Sequence, residues 1–322
     1  MKMRVLLALV VFLAIFGLIA FSGRVVAQNW FSGATGLGGD IIALITVEGV
    51  ITGESSDAVP FYGSTAASSV RICQLLYDAA DDSQVKAVVL RVNSPGGSAA
   101  ASDEIYHAVE ACKAKKPVVV SMGDLAASGG YYVCAPASYI FANGATLTGS
   151  IGVIFSMLNW EELAAKVGIE DITLHAGEYK DIGSPWREMT GAERSMLADL
   201  LDDVHGQFIS AVAAGRQNLT EEQVVEAANG MIYTGAGALA LGLVDEIGGL
   251  HAAEEKARQL ANVGSGVPVE AYGAGSFWEE FFSIKAPGSL ESMLAGQAGA
   301  GGLSALARGL YLNSTLRDLV VR

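Results

Sequence analysis

The stretch PVVVSMGDLAASGGYY holds a serine in a setting suited to nucleophilic chemistry. A β-branched run from Pro117 leads into Ala126-x-Ser128-x-Gly130, and residues compatible with a helix follow. Strand, tight turn and helix in that order lift a hydroxyl above a sheet end and leave the next backbone amides, Gly129 first, free for a developing oxyanion. Ser128 is thus a candidate nucleophile, with a small-residue turn chosen for packing as the competing reading. A second stretch, LRVNSPGGS, ends an apolar run in Asn93-Ser94-Pro95-Gly96-Gly97 just before helix-forming residues. Gly96 and Gly97 let backbone approach a ligand closely, with amides at the start of the next helix, which suits an oxyanion hole as well as a bare turn. Both stretches lie at carboxyl ends of expected strands, where ligands of parallel sheets bind.

A serine nucleophile needs a base. The chain has four histidines: His107 on a charged helix face, His205 inside a long helix, and His175 and His251 without a motif around them. The order Ser128, Asp245, His251 would mimic a hydrolase triad, an arrangement that chance also supplies. Lysine is the other base to consider, and Lys180 lies in HAGEYKDIGSPWREMT, a polar stretch of loop character. Loops on rigid scaffolds often carry catalytic groups, although a lone lysine also serves as a solvated surface charge.

The positioning elements follow from periodicity. From about Asp40, β-rich runs alternate with helical stretches, the pattern of βαβ units and a mainly parallel sheet. Expected strands are 41–47, 86–92, 117–122, 139–142, 151–155 and 171–174, and expected helices are 66–80, 98–113 and 160–167. Thr190-x-x-Glu193 opens a long amphipathic helix with Leu197, Leu200, Leu201, Val204, Phe208 and Val212 as its stripe. Thr220-x-x-Gln223 starts a shorter helix, and 252–260 reads as another. From Gly264 the composition turns to glycine, alanine and serine around the patch Phe277-Trp278-Glu279-Glu280-Phe281-Phe282, so residues 264–322 are set apart as a tail.

Ahead of the body, Lys2 and Arg4 precede the charge-free run Val5 to Ser22, which is long enough to cross a bilayer. No Lys or Arg follows Arg24 until Arg71, which favours a cytoplasmic N-terminus and an exported body. Residues 1–27 are accordingly expected to anchor a domain at 28–263, with a cleavable signal ending at Ala27 as the alternative. In 322 residues, 51% hydrophobic content can fill a large core, and a net charge of −14 argues against nucleic acid as a partner. Three cysteines at irregular spacing suggest neither a disulfide framework nor a zinc site.

Taken together, NSPGGS, GDLAASGGYY, TLTGSIGV and YKDIGSPWREMT resemble, in order, the sequence blocks of the short form of signal peptide peptidase A. That family shares the α/β fold of caseinolytic protease and crotonase, and the similarity runs from roughly residue 41 to 260. The resemblance implies Ser128 as nucleophile, Lys180 as general base, Ser150 as the serine that orients the lysine, and backbone amides among Gly96, Gly97 and Gly129 as oxyanion donors. It implies no metal or organic cofactor, peptide substrates such as signal-peptide remnants, and a membrane-held homo-oligomeric ring of about eight subunits. It further implies a single-pass protein of a bacterial-type cytoplasmic membrane, with serine and lysine drawn from different protomers. Rival expectations are a crotonase-like acyl-CoA enzyme, which would need a carboxylate base, and a catalytically idle membrane scaffold.

Overall fold

The computed structural model describes residues 39–53 and 66–273. The apolar run Val5 to Ser22, the candidate cleavage site at Ala27 and the patch Phe277–Phe282 lie outside the described residues. Among the described residues, no helix is long and apolar enough to cross a membrane.

The chain forms β1 (Ile41–Glu48), β2 (Val50–Thr52), β3 (Ala66–Ser68), α1 (Ser69–Asp81), β4 (Val85–Ser94), α2 (Ala99–Lys113), β5 (Val118–Ala127), α3 (Gly129–Tyr132), β6 (Tyr139–Ala142) and β7 (Leu147–Gly149). It continues with α4 (Glu161–Val167), α5 (Gly191–Gly215), α6 (Glu221–Ala227), β8 (Ile232–Thr234), α7 (Gly235–Ala240), β9 (Glu246–Ile247), α8 (Leu250–Leu260) and β10 (Val269–Ala271). The central sheet runs β10-β1-β4-β5-β6-β9, with every neighbouring pair parallel. β7 joins the second half of β5 in parallel and carries β8 antiparallel on its far side.

Alternation along the strands explains the layering, because successive side chains point to opposite faces. Ala43, Ile45 and Val47 of β1 join Val88, Leu90, Val120 and Met122 in a core with Leu76 of α1 and Ile105 and Val109 of α2. Ile42, Ala87, Val89, Val119 and Phe141 face the other way and pack on Ala253 and Ala257 of α8. Covered on both faces, β4 and β5 read as near-continuous apolar runs, as parallel strands do. Caps set the helix starts: Ser68 Oγ accepts from Arg71 N–H, Ser98 Oγ from Ala101 N–H, and the capping boxes at Thr190 and Thr220 both form.

Two expected strands are absent. Residues 151–155 and 171–174 take no strand conformation, and Ile154 and Leu174 are 88% and 94% exposed. Apolar content alone does not make a strand, because strand formation depends on packing against cross-strand neighbours. The stripe of α5 is covered unevenly as well. Phe208 and Val212 are buried, whereas Leu200, two turns earlier, is exposed. The expected helix at 66–80 starts late, because Ala66–Ser68 pairs with β2 as β3. Past Gly264 the chain still contributes β10 to the sheet edge.

Candidate active site

β4 and β5 end side by side, and their ends are shaped by two polar residues. The register between them slips at Val92 to Ser94, so Ser94 pairs with Ala126. Asn93 fills the slip: its Oδ1 accepts from Leu125 N–H at 3.2 Å, and a Cβ on Gly123 would come within 3.0 Å of the Asn93 side chain. Ser94, fully buried, donates from Oγ to the Gly49 carbonyl at 2.6 Å and accepts from Gly96 N–H at 3.1 Å. β2 then clamps the glycine loop. Ile51 N–H donates to the Gly96 carbonyl and Ser98 N–H to the Ile51 carbonyl, both at 2.9 Å.

That bridge turns the N–H of Gly97 away from Ile51. Gly97 N–H and Gly129 N–H have no partner among the described residues. They lie close together, since a Cβ built on Gly129 would sit 3.3 Å from the Gly97 nitrogen. Gly96 adopts φ +92°, and a side chain there would come within 2.6 Å of Gly129 N and 3.1 Å of Ser128 Cβ. Only glycine permits both the dihedral and the approach.

Ser128 occupies the junction of β5 and α3 with φ 53° and ψ −125°, outside the favoured regions for a side chain with Cβ. Such backbone strain costs about 1–3 kcal/mol and persists only where the surroundings enforce it. Here they do. Ser128 N–H donates to the Gly149 carbonyl at 2.9 Å, and its own carbonyl accepts from Tyr131 and Tyr132. Beneath it, Gly130 leaves no room for a Cβ against the Ser94 carbonyl, and buried Tyr131 donates from its hydroxyl to the Leu243 carbonyl at 2.8 Å. Ser150 directly follows the residue that accepts from Ser128. It too has positive φ, 50°, and its N–H donates to the Met231 carbonyl at 2.7 Å.

The structure thus brings together Ser128, Gly96, Gly97 and Gly129, with Ser150 one residue from the contact. Lys180 is not joined to them. It lies exposed in a turn, its N–H donating to the Gly177 carbonyl at 3.2 Å, and no hydrogen bond or ion pair from its amine is formed among the described residues. The next residue, Asp181, is tied to Arg187. Within the chain, the triad order Ser128, Asp245, His251 has no geometric basis. Asp245 is held by Arg216 at 2.6 Å and by Ile140 N–H, while His251 faces Glu254 at 3.6 Å.

No cluster of His, Cys, Asp or Glu among the described residues could hold a metal ion. A cavity of about 710 Å³ between α2 and α5 is lined by Asp103, Tyr106, His107, Glu110, Tyr132 and Asp203 and contains none of the candidate groups. Burial pushes the Tyr106 phenol up to about 12, with Glu110 adding to the effect. That hydroxyl donates to Glu110 and to the Ala211 carbonyl, and Tyr132 donates to Asp103 at 2.8 Å. The sequence alone assigns no role to Asn93, Ser94 or Arg187. The available signal was polar residues closing an apolar strand before Pro-Gly-Gly, and an arginine six residues from both Asp181 and Glu193.

Comparison with known proteins fits this arrangement. The family model described as Peptidase family S49 matches residues 110–264, and the Clp protease model matches residues 61–143. A protein of Synechocystis named as a protease is 41% identical, over 74% of this chain and 80% of its own length. Protease 4 of Haemophilus influenzae is 37% identical, over 76% of this chain but 38% of its own length. A protein of Enterococcus faecium named for signal peptide peptidase SppA is 39% identical, over 64% of this chain and 60% of its own length. The chain therefore belongs to peptidase family S49, as a serine protease with a Clp protease-like α/β domain.

Proposed function

We propose that the protein is a membrane-anchored endopeptidase that degrades released signal peptides and other unfolded or membrane-associated segments, with Ser128 as nucleophile and Lys180 as general base. The observation that carries the reading is the strained Ser128 held beside two partnerless amides, Gly97 N–H and Gly129 N–H. Free donors fixed by the backbone suit an anion that exists only during reaction, and they need no reorganisation to meet it. Gly96 serves differently, because its N–H is already given to Ser94.

In the proposed cycle, neutral Lys180 takes the proton from Ser128 Oγ as that oxygen bonds to the substrate carbonyl carbon. The carbonyl oxygen becomes the oxyanion and accepts from Gly97 and Gly129. The intermediate collapses by breaking the C–N bond, and the lysine ammonium gives its proton to the leaving amine. Water, deprotonated by the same lysine, then attacks the acyl-enzyme and restores Ser128. Ser150 is assigned to orient the amine, since an uncharged hydroxyl aims it without adding a negative charge that would hold the ammonium. The chemistry asks for no metal or organic cofactor.

Lys180 reaches a serine by assembly in this reading: it faces Ser128 of a neighbouring protomer in a closed homo-oligomeric ring of about eight subunits. The uncovered apolar side chains around it support this, with Ile154, Phe155, Leu158, Ile172 and Leu174 all exposed in the single chain. Surfaces of that kind mark protein contacts. Residues 1–27 are proposed as a retained single-pass anchor in the cytoplasmic membrane, with the βαβ body on the extracytoplasmic side. A fluorophosphonate probe should label the wild type and leave Ser128→Ala unlabelled. Equal labelling of both would refute Ser128 as nucleophile.

A further inference from the structure

Resting on the assignment of Lys180 as base, we propose that Arg187 is a positioning residue: it ties the Lys180 turn to helix α5 and occupies the carboxylate next to the lysine. The guanidinium makes two forks at once. Its Nε and Nη2 donate to the two oxygens of Asp181 at 2.7 and 3.0 Å, and its Nη1 and Nη2 donate to the two oxygens of Glu193 at 2.9 and 2.5 Å. Glu193, only 3% exposed, also accepts from Thr190 N–H at 2.8 Å in the capping box that opens the 25-residue α5. An unbroken path therefore runs from Lys180 through Asp181, Arg187 and Glu193 to a long helix.

Little else restrains that turn. Within it are short-range backbone bonds, Ile182 N–H to Tyr179 and Ser184 N–H to Asp181. Beside it, Trp160 N–H donates to the Pro185 carbonyl at 2.6 Å and Asn159 Nδ2 to the Arg187 carbonyl at 3.4 Å. A planar fork fixes orientation as well as distance, which a lysine in the same place cannot do.

The second role is electrostatic. An unpaired carboxylate adjacent to Lys180 would stabilise its ammonium form and oppose base action. Around the turn the charged or titratable groups are Glu178, Tyr179 and Asp181 on it, His175 before it with Nε2 3.9 Å from Asp181, Arg187 and Glu188 after it, and Glu193 from α5. Two of these carboxylates, Asp181 and Glu193, pair with the one guanidinium, so losing Arg187 leaves the lysine in a more negative field. The pairing also holds the Glu193 carboxyl down to about 2 and the Asp181 carboxyl below its ordinary range.

The test uses full-length protein in detergent and compares wild type, Arg187→Gln, Arg187→Lys, Arg187→Gln with Asp181→Asn, and Lys180→Ala. It measures kcat and KM across pH together with thermal unfolding. Arg187→Gln and Arg187→Lys should lose about a hundredfold in kcat at neutral pH, the scale of a misplaced catalytic group, with KM little changed. In Arg187→Gln the rising limb of the pH profile should move alkaline, and adding Asp181→Asn should move it back without restoring kcat. A wild-type limb and kcat in folded Arg187→Gln, with Lys180→Ala dead, would overturn this proposal alone. Should Arg187→Gln fail to fold, Asp181→Asn alone takes its place: kcat should fall without an alkaline shift, and a wild-type kcat would overturn the anchor. Activity in Lys180→Ala would overturn both the base assignment and this inference.

Discussion

The two stretches that hold the proposed chemistry are built in opposite ways. Around Ser128, neighbours crowd the backbone so closely that Gly96, Gly97, Gly129 and Gly130 have no room for a Cβ. Around Lys180, from residue 152 to 189, the chain has one short helix, and most of its large apolar side chains stand in solvent. Interiors pack densely because every gap forfeits contacts, so a long apolar stretch left uncovered is unfinished structure. In the proposed reading, one chain completes the nucleophile and the oxyanion donors by itself and presents the lysine on a surface suited to another copy.

Substitutions can test each side of that contrast. The largest effect is expected from the reacting groups. Ser128→Ala and Lys180→Arg should each lower kcat/KM for a peptide by about a thousandfold or more, the arginine because it does not deprotonate. Substantial peptidase activity in Lys180→Arg would remove lysine from the mechanism. Next come the uncovered side chains. Ile154→Glu with Leu174→Glu should dissociate the assembly and silence it while leaving the unfolding temperature of the body nearly unchanged, as seen by light scattering, peptide assay and calorimetry on one sample. A silent variant that stays assembled would detach those residues from the interface.

A smaller loss belongs to the crowded side. Gly97→Ala forces a methyl onto the Ile51 carbonyl and Gly129→Ala onto Ser102 Oγ. Each should lower kcat by up to about a hundredfold by displacing the amide, the scale of losing an oxyanion donor, and also reduce stability. Near-normal kcat in either would free that amide from the role. The smallest effect concerns acid. Arg187 lowers the Glu193 carboxyl to about 2, so its contribution to stability is present above the unfolded value and fades as pH falls toward 2. Unfolding of Glu193→Gln should depend less on pH across that window than the wild type does.

The crowded side was the legible one. A β-branched run, a turn of small residues and capping serines are local signals, and β1, β4, β6, α1, α2, α4, α5, α6 and α8 fall where those signals put them within a few residues, whereas α7 lies outside the expected helices. Ser128 and the Pro-Gly-Gly turn could be read for the same reason, since strand ends and glycines reveal where backbone must approach backbone. What stayed hidden depends on distant partners. Runs 151–155 and 171–174 have strand-like composition, but neither pairs with another strand among the described residues. Ser94 acts through the Gly49 carbonyl, 45 residues away, and single-residue patterns do not record such a meeting.

The central claim is that the site is shared, and mixed assemblies test it most directly. Ser128→Ala and Lys180→Ala chains carrying different tags would be coexpressed, and assemblies retaining both tags purified and assayed for peptide hydrolysis. Each variant alone should be inactive, and the doubly tagged assemblies should regain activity, because some neighbours then pair an intact Ser128 with an intact Lys180. Doubly tagged assemblies no more active than either parent would contradict the account and return the dyad to a single chain.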